Sequence, residues 1–402
     1  MTRHAGFLTL VFSSLAHTYS HLFTLLYATV VLVLEREWGL SYAELFALSI
    51  PMSVLFGAAA LPAGWMGDKW SASGMMALFF LGVGGCSIAT GFANSPLGIG
   101  LGLAGIGLFA AIYHPVGIPW LVRNAVNRGR ALGINGVFGS VGTAGAALVA
   151  GLLAELWGWR AAFIIPGLLC LVTGLGFVWA RQASLLLDRG EDAVPQAAPG
   201  KSDIWRVFWV MSATMLCTGL IYQATAFALP KVFDSRLSGV FNDSMLGIGG
   251  MVTIVYTCSA LSQLVGGELA DRYSLRGVYI AVQWLQIPVI LIAMMLIHPA
   301  LVPVAALMVS LNVAGQPAEN SLLAKYTPPQ WRGRAFGGKF VLTLGVSSVG
   351  VAVIPVIYQL TGTLDVLFIL LAACAAGAGI FALLLPREAK DAEAEPVPAP
   401  AE

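Results

Sequence analysis

Two sequence motifs occur twice in this chain at almost the same spacing. The hexapeptide GWMGDK at 64–69 is matched by GELADR at 267–272, so Gly64 and Gly267 lie 267 − 64 = 203 residues apart. The hexapeptide RGRALG at 128–133 is matched by RGRAFG at 332–337, an offset of 332 − 128 = 204 residues. A shared offset indicates an internal duplication, and repeats of about 200 residues are far longer than the units of a solenoid. The chain therefore consists of two related halves.

The composition places both halves in a membrane. Of the 402 residues, 58% are hydrophobic and only 10% are charged, whereas a soluble protein carries about 25% charged residues. The net charge of +1 argues against nucleic acid as a partner, because such a partner requires a basic excess. The five cysteines lie in apolar runs without paired spacing, so we expect neither a disulfide framework nor a cysteine metal site. A long, apolar, duplicated chain is typical of a transporter with a site between its halves.

Twelve apolar segments are long enough to cross a bilayer, which takes roughly 20 residues of helix. We number them segments 1 to 12, at 5–33, 43–66, 72–93, 96–122, 131–153, 160–182, 204–233, 246–270, 276–297, 300–326, 335–361 and 365–386. Segment 1 is expected to be a retained helix, because it is too long for a signal peptide and lacks a small-residue cleavage site.

The segments fall into two groups separated by a polar stretch rich in charges and proline. We predict an N-terminal six-helix bundle at 1–184, a cytoplasmic linker at 185–203 and a C-terminal six-helix bundle at 204–389. The tail at 390–402 contains three prolines and few large apolar residues, which predicts disorder.

The distribution of lysine and arginine predicts the orientation, because cytoplasmic loops carry the excess of these residues. With the N-terminus in the cytoplasm, 16 of the 21 lysines and arginines lie on the cytoplasmic side, and one, Lys339, lies within segment 11. The other four lie on the outer side: Arg36, Arg160, Lys231 and Arg236. We therefore expect a multi-pass protein of a bacterial inner membrane with both termini in the cytoplasm.

The loop between segments 2 and 3, copied between segments 8 and 9, resembles the signature loop of the major facilitator superfamily. The second copy, GELADR, fits that signature well, whereas the first has Met66 and Lys69 in place of leucine and arginine. The resemblance covers the whole chain. It implies an all-α integral membrane protein with twelve transmembrane helices in two pseudo-symmetric six-helix bundles, working by alternating access.

The two loop copies supply candidate gating residues. Glycine lets neighbouring helices approach closely, and an aspartate can cap a helix start and pair with a base across the loop. We expect such a latch to steady the outward-open state. The six gating residues are Gly64, Asp68, Lys69, Gly267, Asp271 and Arg272.

Two further stretches resemble the fosmidomycin-resistance-type exporters within that superfamily. They are WGLSYA at 38–43, which leads into segment 2, and YHP at 113–115 in segment 4. Segment 1 departs from the His-x-x-Asn-Asp pattern of that group. It reads HTYSH at 17–21, so that histidine stands in the place of the acid.

Segments 10 and 11 each contain a charged residue, and a charge inside lipid is costly enough to be a functional candidate. Glu319 lies six residues before Lys325, about 9 Å into the membrane, and Lys339 lies five residues beyond Arg334, about 7 Å in. Because these depths match, we predict that Glu319 and Lys339 pair. The alternatives are a purely structural ion pair, or a lysine that snorkels to the surface. Weaker candidates for substrate hydrogen bonds are Gln316, Tyr222, Gln223 and Asn312.

Three histidines are candidates for coupling transport to protons, because histidine can change its charge near neutral pH. His17 and His21 are one turn apart on one face of segment 1, and His114 precedes a helix-breaking proline in segment 4. The alternative is that they are hydrogen-bonded packing residues. Metal ligation by the pair in segment 1 would need a third ligand, which the sequence does not identify, so no metal is predicted.

These features predict a secondary active transporter that moves a small organic anion and is coupled to protons. The chain has no nucleotide-binding loop and no convergent catalytic set, so we expect neither ATP-driven transport nor an enzyme. We expect no cofactor, and a monomer whose partners are its small-molecule substrate, protons and lipid. One alternative is a proton-driven exporter of a drug or other amphiphile. Another is a sensor built on the same fold, which an attached signalling domain would favour.

Overall fold

A computed structural model describes residues 2–125, 128–186, 201–240, 244–327, 335, 338–339, 341–346 and 348–386. Within these residues, all regular secondary structure is helical. The α-helices are Thr2–Trp38, Tyr42–Ala47, Ile50–Ala58, Ala60–Lys69, Ala72–Gly91, Pro96–Ala110, Ile118–Asn124, Arg128–Trp157, Trp159–Gln182, Lys201–Leu237, Met245–Arg272, Leu275–Met295, Leu301–Ala314, Gln316–Tyr326, Ser348–Thr361 and Asp365–Leu383. There are also π-helical stretches at Tyr113–Gly117 and Val341–Val346 and a 3-10 turn at Ser238–Val240.

Eleven of the predicted segments coincide with helical stretches that are long and apolar enough to cross a membrane. The exception is segment 11. In its described part, a π-helical stretch precedes the shorter apolar helix Val349–Thr361. The predicted all-α membrane architecture is confirmed. Residues 187–200 of the predicted linker, the predicted tail at 390–402 and most of the RGRAFG motif lie outside the described residues.

Serine side chains begin several of the helices. Ser71 and Ser274 cap segments 3 and 9, where each hydroxyl accepts a hydrogen bond from the amide three residues later. The prediction that Asp68 and Asp271 cap these helices is therefore wrong. Both aspartates lie in the last turn of the preceding helix, because a serine closer to each helix start takes the capping position.

Segments 4 and 10 are both broken near a proline. In segment 4 the chain passes through the π-helical stretch around Pro115, and in segment 10 the helix is interrupted at Gly315, two residues before Pro317. Proline removes a backbone donor and disturbs the preceding turn, which explains both breaks. The two prolines are 317 − 115 = 202 residues apart. The duplication thus extends to the irregular backbone at the centre of each half.

The two halves meet through glycines that permit close contact between helices. A Cβ atom on Gly249 of segment 8 would lie 2.4 Å from the carbonyl oxygen of Ala147 in segment 5. A Cβ atom on Gly57 of segment 2 would lie 2.1 Å from the Cα of Gly345 in segment 11. Because no side chain fits at either contact, both glycines are required for the halves to approach this closely.

Candidate functional site

A narrow cavity lies between segments 1 and 2 of the first half and segment 7 of the second. Its walls are His21, Thr24, Leu25, Met52, Ser53, Phe56, Tyr222, Gln223 and Phe227. The cavity has room for about one water molecule. The two halves therefore leave little open space between them at this point.

The three candidate histidines come together beside this cavity, and we call them the histidine cluster. The ring centroids of His17 and His21 are 5.1 Å apart, and His114 lies 5.5 Å from the first ring and 5.4 Å from the second. His114 reaches the other two because the π-helical stretch of segment 4 packs against segment 1. Sequence spacing could pair only the two histidines of segment 1, because His114 is almost 100 positions away from both of them in the chain.

His17 is held in one orientation by Asn135 of segment 5. Its Nδ1 lies 2.8 Å from the backbone oxygen of Asn135 and 3.0 Å from its Oδ1, and Oδ1 also accepts a hydrogen bond from the hydroxyl of Tyr113. Because oxygens of both kinds only accept, Nδ1 carries a proton, and Nε2 is the nitrogen with the lone pair when the ring is neutral. Our sequence analysis missed Asn135. The motif offset could have identified it, since 135 + 204 = 339 is the position of Lys339.

Gly139 makes room for the imidazole of His17. A Cβ atom on this glycine would lie 2.5 Å from two atoms of the ring. The neighbouring glycines Gly136 and Gly145 of the same helix have open space at the corresponding position. Gly139 therefore allows the histidine to enter the contact between segments 1 and 5.

In the second half, Glu319 and Lys339 form the ion pair predicted from their depths. Oε1 of Glu319 lies 2.8 Å from Nζ of Lys339, and the two side chains are only 4% and 10% exposed. The hydroxyl of Tyr279 donates a 2.8 Å hydrogen bond to the other carboxylate oxygen, and Lys339 also donates to Oδ1 of Asn320. Both charges are therefore matched by polar partners inside the bundle.

A buried amide cluster extends from this pair towards segment 9. The side chain of Asn312 donates to the backbone oxygen of Thr218 and to Oε1 of Gln286, both at 3.3 Å, and Gln286 donates to Gln283 at 3.0 Å. Sequence analysis missed the two glutamines, although two amides three residues apart in an apolar segment are a usable signal. Gln316 is half-buried, three residues before Glu319.

The predicted gating residues lie together at one end of each half. Asp68 faces Arg123 of segment 4, with 3.8 Å between the carboxylate and the guanidinium, and Arg272 pairs with Glu268 one turn earlier. Gly64 and Gly67 pack against the broken part of segment 4. The remaining three behave differently: Lys69 and Asp271 are exposed and Gly267 has open space around it. In the described part of the chain, the ion pairs of these motifs therefore stay within one half.

At the opposite end, ion pairs join the two halves. Glu35 lies 2.6 Å from Lys231, and Arg36 lies 2.7 Å from Asp234. We call these four residues the outer ion cluster. The Lys231 side chain is only 6% exposed, and its Nζ lies 4.9 Å and 5.2 Å from the ring centroids of Tyr42 and Tyr358. Sequence analysis placed Arg36 and Lys231 on the outer side but missed their acidic partners. Glu35 follows the end of segment 1, and Asp234 follows the end of segment 7. These opposite charges at the ends of two segments were the available signal.

Comparisons with known proteins agree with this architecture. The sequence pattern of the Major Facilitator Superfamily matches residues 8–247 and 232–401. No curated protein matches the chain significantly.

Solved structures with the same fold include three transporters of low sequence identity. A bacterial homologue of the human lysosomal transporter Spinster, in an inward-facing conformation, is 15% identical, with 95% of each chain covered and a TM-score of 0.71. A mutant of the nucleoside transporter NupG is 14% identical, with 94% of this chain and 100% of that chain covered and a TM-score of 0.72. The peptide transporter POT in complex with sulfate is 15% identical, with 94% and 93% covered and a TM-score of 0.74. Since the family pattern spans almost the whole chain and the fold agrees, this protein belongs to the Major Facilitator Superfamily and is a multi-pass membrane transporter.

Proposed function

We propose that this transporter moves a small organic anion across a bacterial inner membrane by alternating access and is coupled to protons. The observation that supports the anion is the charge balance of the buried groups in the two halves. Glu319 is neutralised by Lys339, and the histidine cluster contains no carboxylate. A negatively charged substrate beside the cavity would meet the imidazoles, whereas a cation would find no carboxylate within the cluster.

Proton coupling is proposed because the titratable groups lie beside the cavity. Imidazole has an unperturbed pKa of about 6.5, so a modest change in surroundings alters its charge near neutral pH. A bound anion favours the protonated ring, while closure of the site in lipid favours the neutral one. Alternating access would therefore change the proton affinity of the cluster during each cycle.

The anion proposal is tested by a thermal-shift screen of the purified protein with matched compounds. Each pair shares one carbon skeleton and carries either a carboxylate or its uncharged amide. A bound substrate raises the unfolding temperature by mass action, so the proposal predicts stabilisation by particular anions and not by their amides. Equal stabilisation by both members of a pair would contradict an anion site.

The second candidate is a proton-driven exporter of a drug or other amphiphile. It is favoured by the apolar and aromatic part of the cavity wall, which includes Met52, Phe56 and Phe227. The stretches that resemble the fosmidomycin-resistance-type exporters support the same alternative. In the matched screen, such an exporter would respond to the shared carbon skeleton rather than to the charge.

The proposed arrangement in the membrane follows the charge bias of the loops. We place both termini in the cytoplasm, together with the linker at 185–203 between bundles at 1–184 and 204–389 and the tail at 390–402. The outer ion cluster then faces the outside. The transporter is proposed to act as a monomer, since each chain carries both halves of the site.

A further inference from the structure

We propose that His17, His21 and His114 form a binding site for a divalent transition-metal ion of the zinc class. Imidazole nitrogen is a preferred ligand for Zn²⁺ and its neighbours in the first transition row. The three rings bring one ligand nitrogen each to within 4.8 Å of one another. This inference goes beyond the proposed transport function and does not depend on it.

The spacing of the rings matches a metal site. With metal–nitrogen bonds of about 2.0–2.1 Å and tetrahedral angles, three imidazole centroids lie roughly 5.2 Å apart. In the structure they lie 5.1, 5.4 and 5.5 Å apart. The nitrogens lie within 4.8 Å of one another and would have to approach to roughly 3.4 Å. This requires the side chains of His21 and His114 to turn towards the ring of His17, whose orientation Asn135 holds.

The tautomer of His17 also suits ligation. Its Nδ1 donates to two oxygens of Asn135 at 2.8 and 3.0 Å, which leaves the Nε2 lone pair available. Histidines that bind metal commonly donate the other ring N–H to a carbonyl oxygen in this way, and the hydrogen bond fixes the orientation of the ring. Asn135 is in turn held by Tyr113 and Ser13, so the support continues beyond the first hydrogen bond.

Three protein ligands leave one position of a tetrahedral metal open. His21 lines the central cavity together with Thr24 and Ser53, so the open position can be reached from the space between the halves. Three neutral imidazoles leave the full double charge of the ion uncompensated. The fourth ligand is therefore expected to be hydroxide or an anionic group of a small molecule.

The site is tested by zinc binding to the full chain in nanodiscs, purified with a tag that contains no histidine and stripped with a chelator. Equilibrium dialysis should give one tightly bound Zn²⁺ per chain. Loss of a residue that supports a metal ligand weakens binding by roughly 10–100-fold, and Asn135→Ala should fall in that range. Loss of a ligand should weaken zinc binding by more than this in each of the variants His17→Gln, His21→Gln and His114→Gln. His298→Gln is the matched control, because that histidine is exposed in a loop, and it should bind as the wild type does.

Size-exclusion profiles and unfolding temperatures show whether each variant is folded. Should a variant fail to fold, zinc K-edge X-ray absorption of the wild-type protein provides a separate test. The expected spectrum has a nitrogen shell at about 2.0–2.1 Å with scattering from three imidazoles. Fewer than three imidazoles around the zinc would overturn the proposal. Stoichiometric zinc binding that survives in the folded triple variant would do the same.

Discussion

A buried polar side chain at equivalent positions of the two halves holds an ionisable group in each. Asn135 of segment 5 contacts His17, and Lys339 of segment 11 contacts Glu319. The two positions differ by the offset of 204 residues that relates the repeated motifs. At the residue scale, both halves therefore have a buried polar side chain at this position. The side chain is the neutral Asn135 in the first half and the charged Lys339 in the second.

The charged contact predicts strong coupling between its two members. Glu319→Gln or Lys339→Gln alone leaves an unmatched buried charge, which costs about 3–5 kcal/mol of stability. The double variant removes both charges and should recover much of that loss. Chemical unfolding of the four proteins in a double-mutant cycle measures the interaction free energy, and strictly additive losses would show that the two side chains do not interact.

Gly139 predicts a steric effect that a neighbouring glycine does not share. In Gly139→Ala the new methyl group meets the ring of His17 at 2.5 Å, so we expect a loss of about 1–3 kcal/mol from overpacking and impaired transport. Gly145→Ala on the same helix enters open space and should be neutral or slightly stabilising. Thermal unfolding and transport assays of both variants test this, and equal behaviour of the two would contradict the packing described for His17.

At the scale of the helices, the extended ends of segments 1 and 7 carry the contact that closes one end of the molecule. Glu35 and Arg36 of the first half pair with Lys231 and Asp234 of the second. Opening that end breaks both ion pairs and uncovers a lysine that is buried in the closed state. We therefore expect these helix ends to bias the conformational equilibrium without contacting the central cavity.

Lys231→Gln is predicted to open this end more often. The neutral side chain loses its contact with Glu35, so reagents should reach the cavity more readily. The measurement is the rate at which an impermeant thiol reagent outside cells modifies Thr24→Cys, in a background without the native cysteines. Arg236→Gln is the matched control, because its partner Asp365 belongs to the same half. Equal rates in the two variants would assign Lys231 a purely structural role.

Individual helices show how far the sequence determined these predictions. The pairing of Glu319 with Lys339 could be predicted because both lie at similar depths on helices adjacent in sequence. The contact of His114 with His17 could not, because it depends on how the broken segment 4 packs against segment 1. The expected aspartate caps were wrong. Serine and aspartate are both favoured N-cap residues, so the sequence alone could not decide which of the two near each helix start takes that position.

At the scale of the whole molecule, the charge bias of the loops predicts the topology. A cysteine introduced as Glu191→Cys should be modified by an impermeant thiol reagent only after the cells are permeabilised, because the linker is placed in the cytoplasm. A cysteine at Arg160, on the predicted outer side, serves as the positive control. Labelling of the Glu191→Cys protein in intact cells would contradict the proposed orientation.

The last prediction concerns coupling between the transport cycle and protons. His17 lies in the histidine cluster beside the cavity. Its ring is hydrogen-bonded to Asn135 and stacks on the ring of Tyr113. If its protonation is the coupling event, His17→Gln should retain exchange of substrate at equal pH while losing stimulation by an imposed pH gradient. Glutamine keeps a hydrogen-bonding group but cannot change its charge in this range.

The assay is uptake into proteoliposomes with and without the gradient, in the presence of a chelator so that metal binding does not contribute. His21→Gln should show a smaller effect, and His298→Gln should behave as the wild type because that histidine is exposed in a loop. Reversal of the gradient should reverse the stimulation in the wild type. Unchanged gradient dependence in folded His17→Gln protein would move the coupling role to Glu319, a buried carboxylate of the second half.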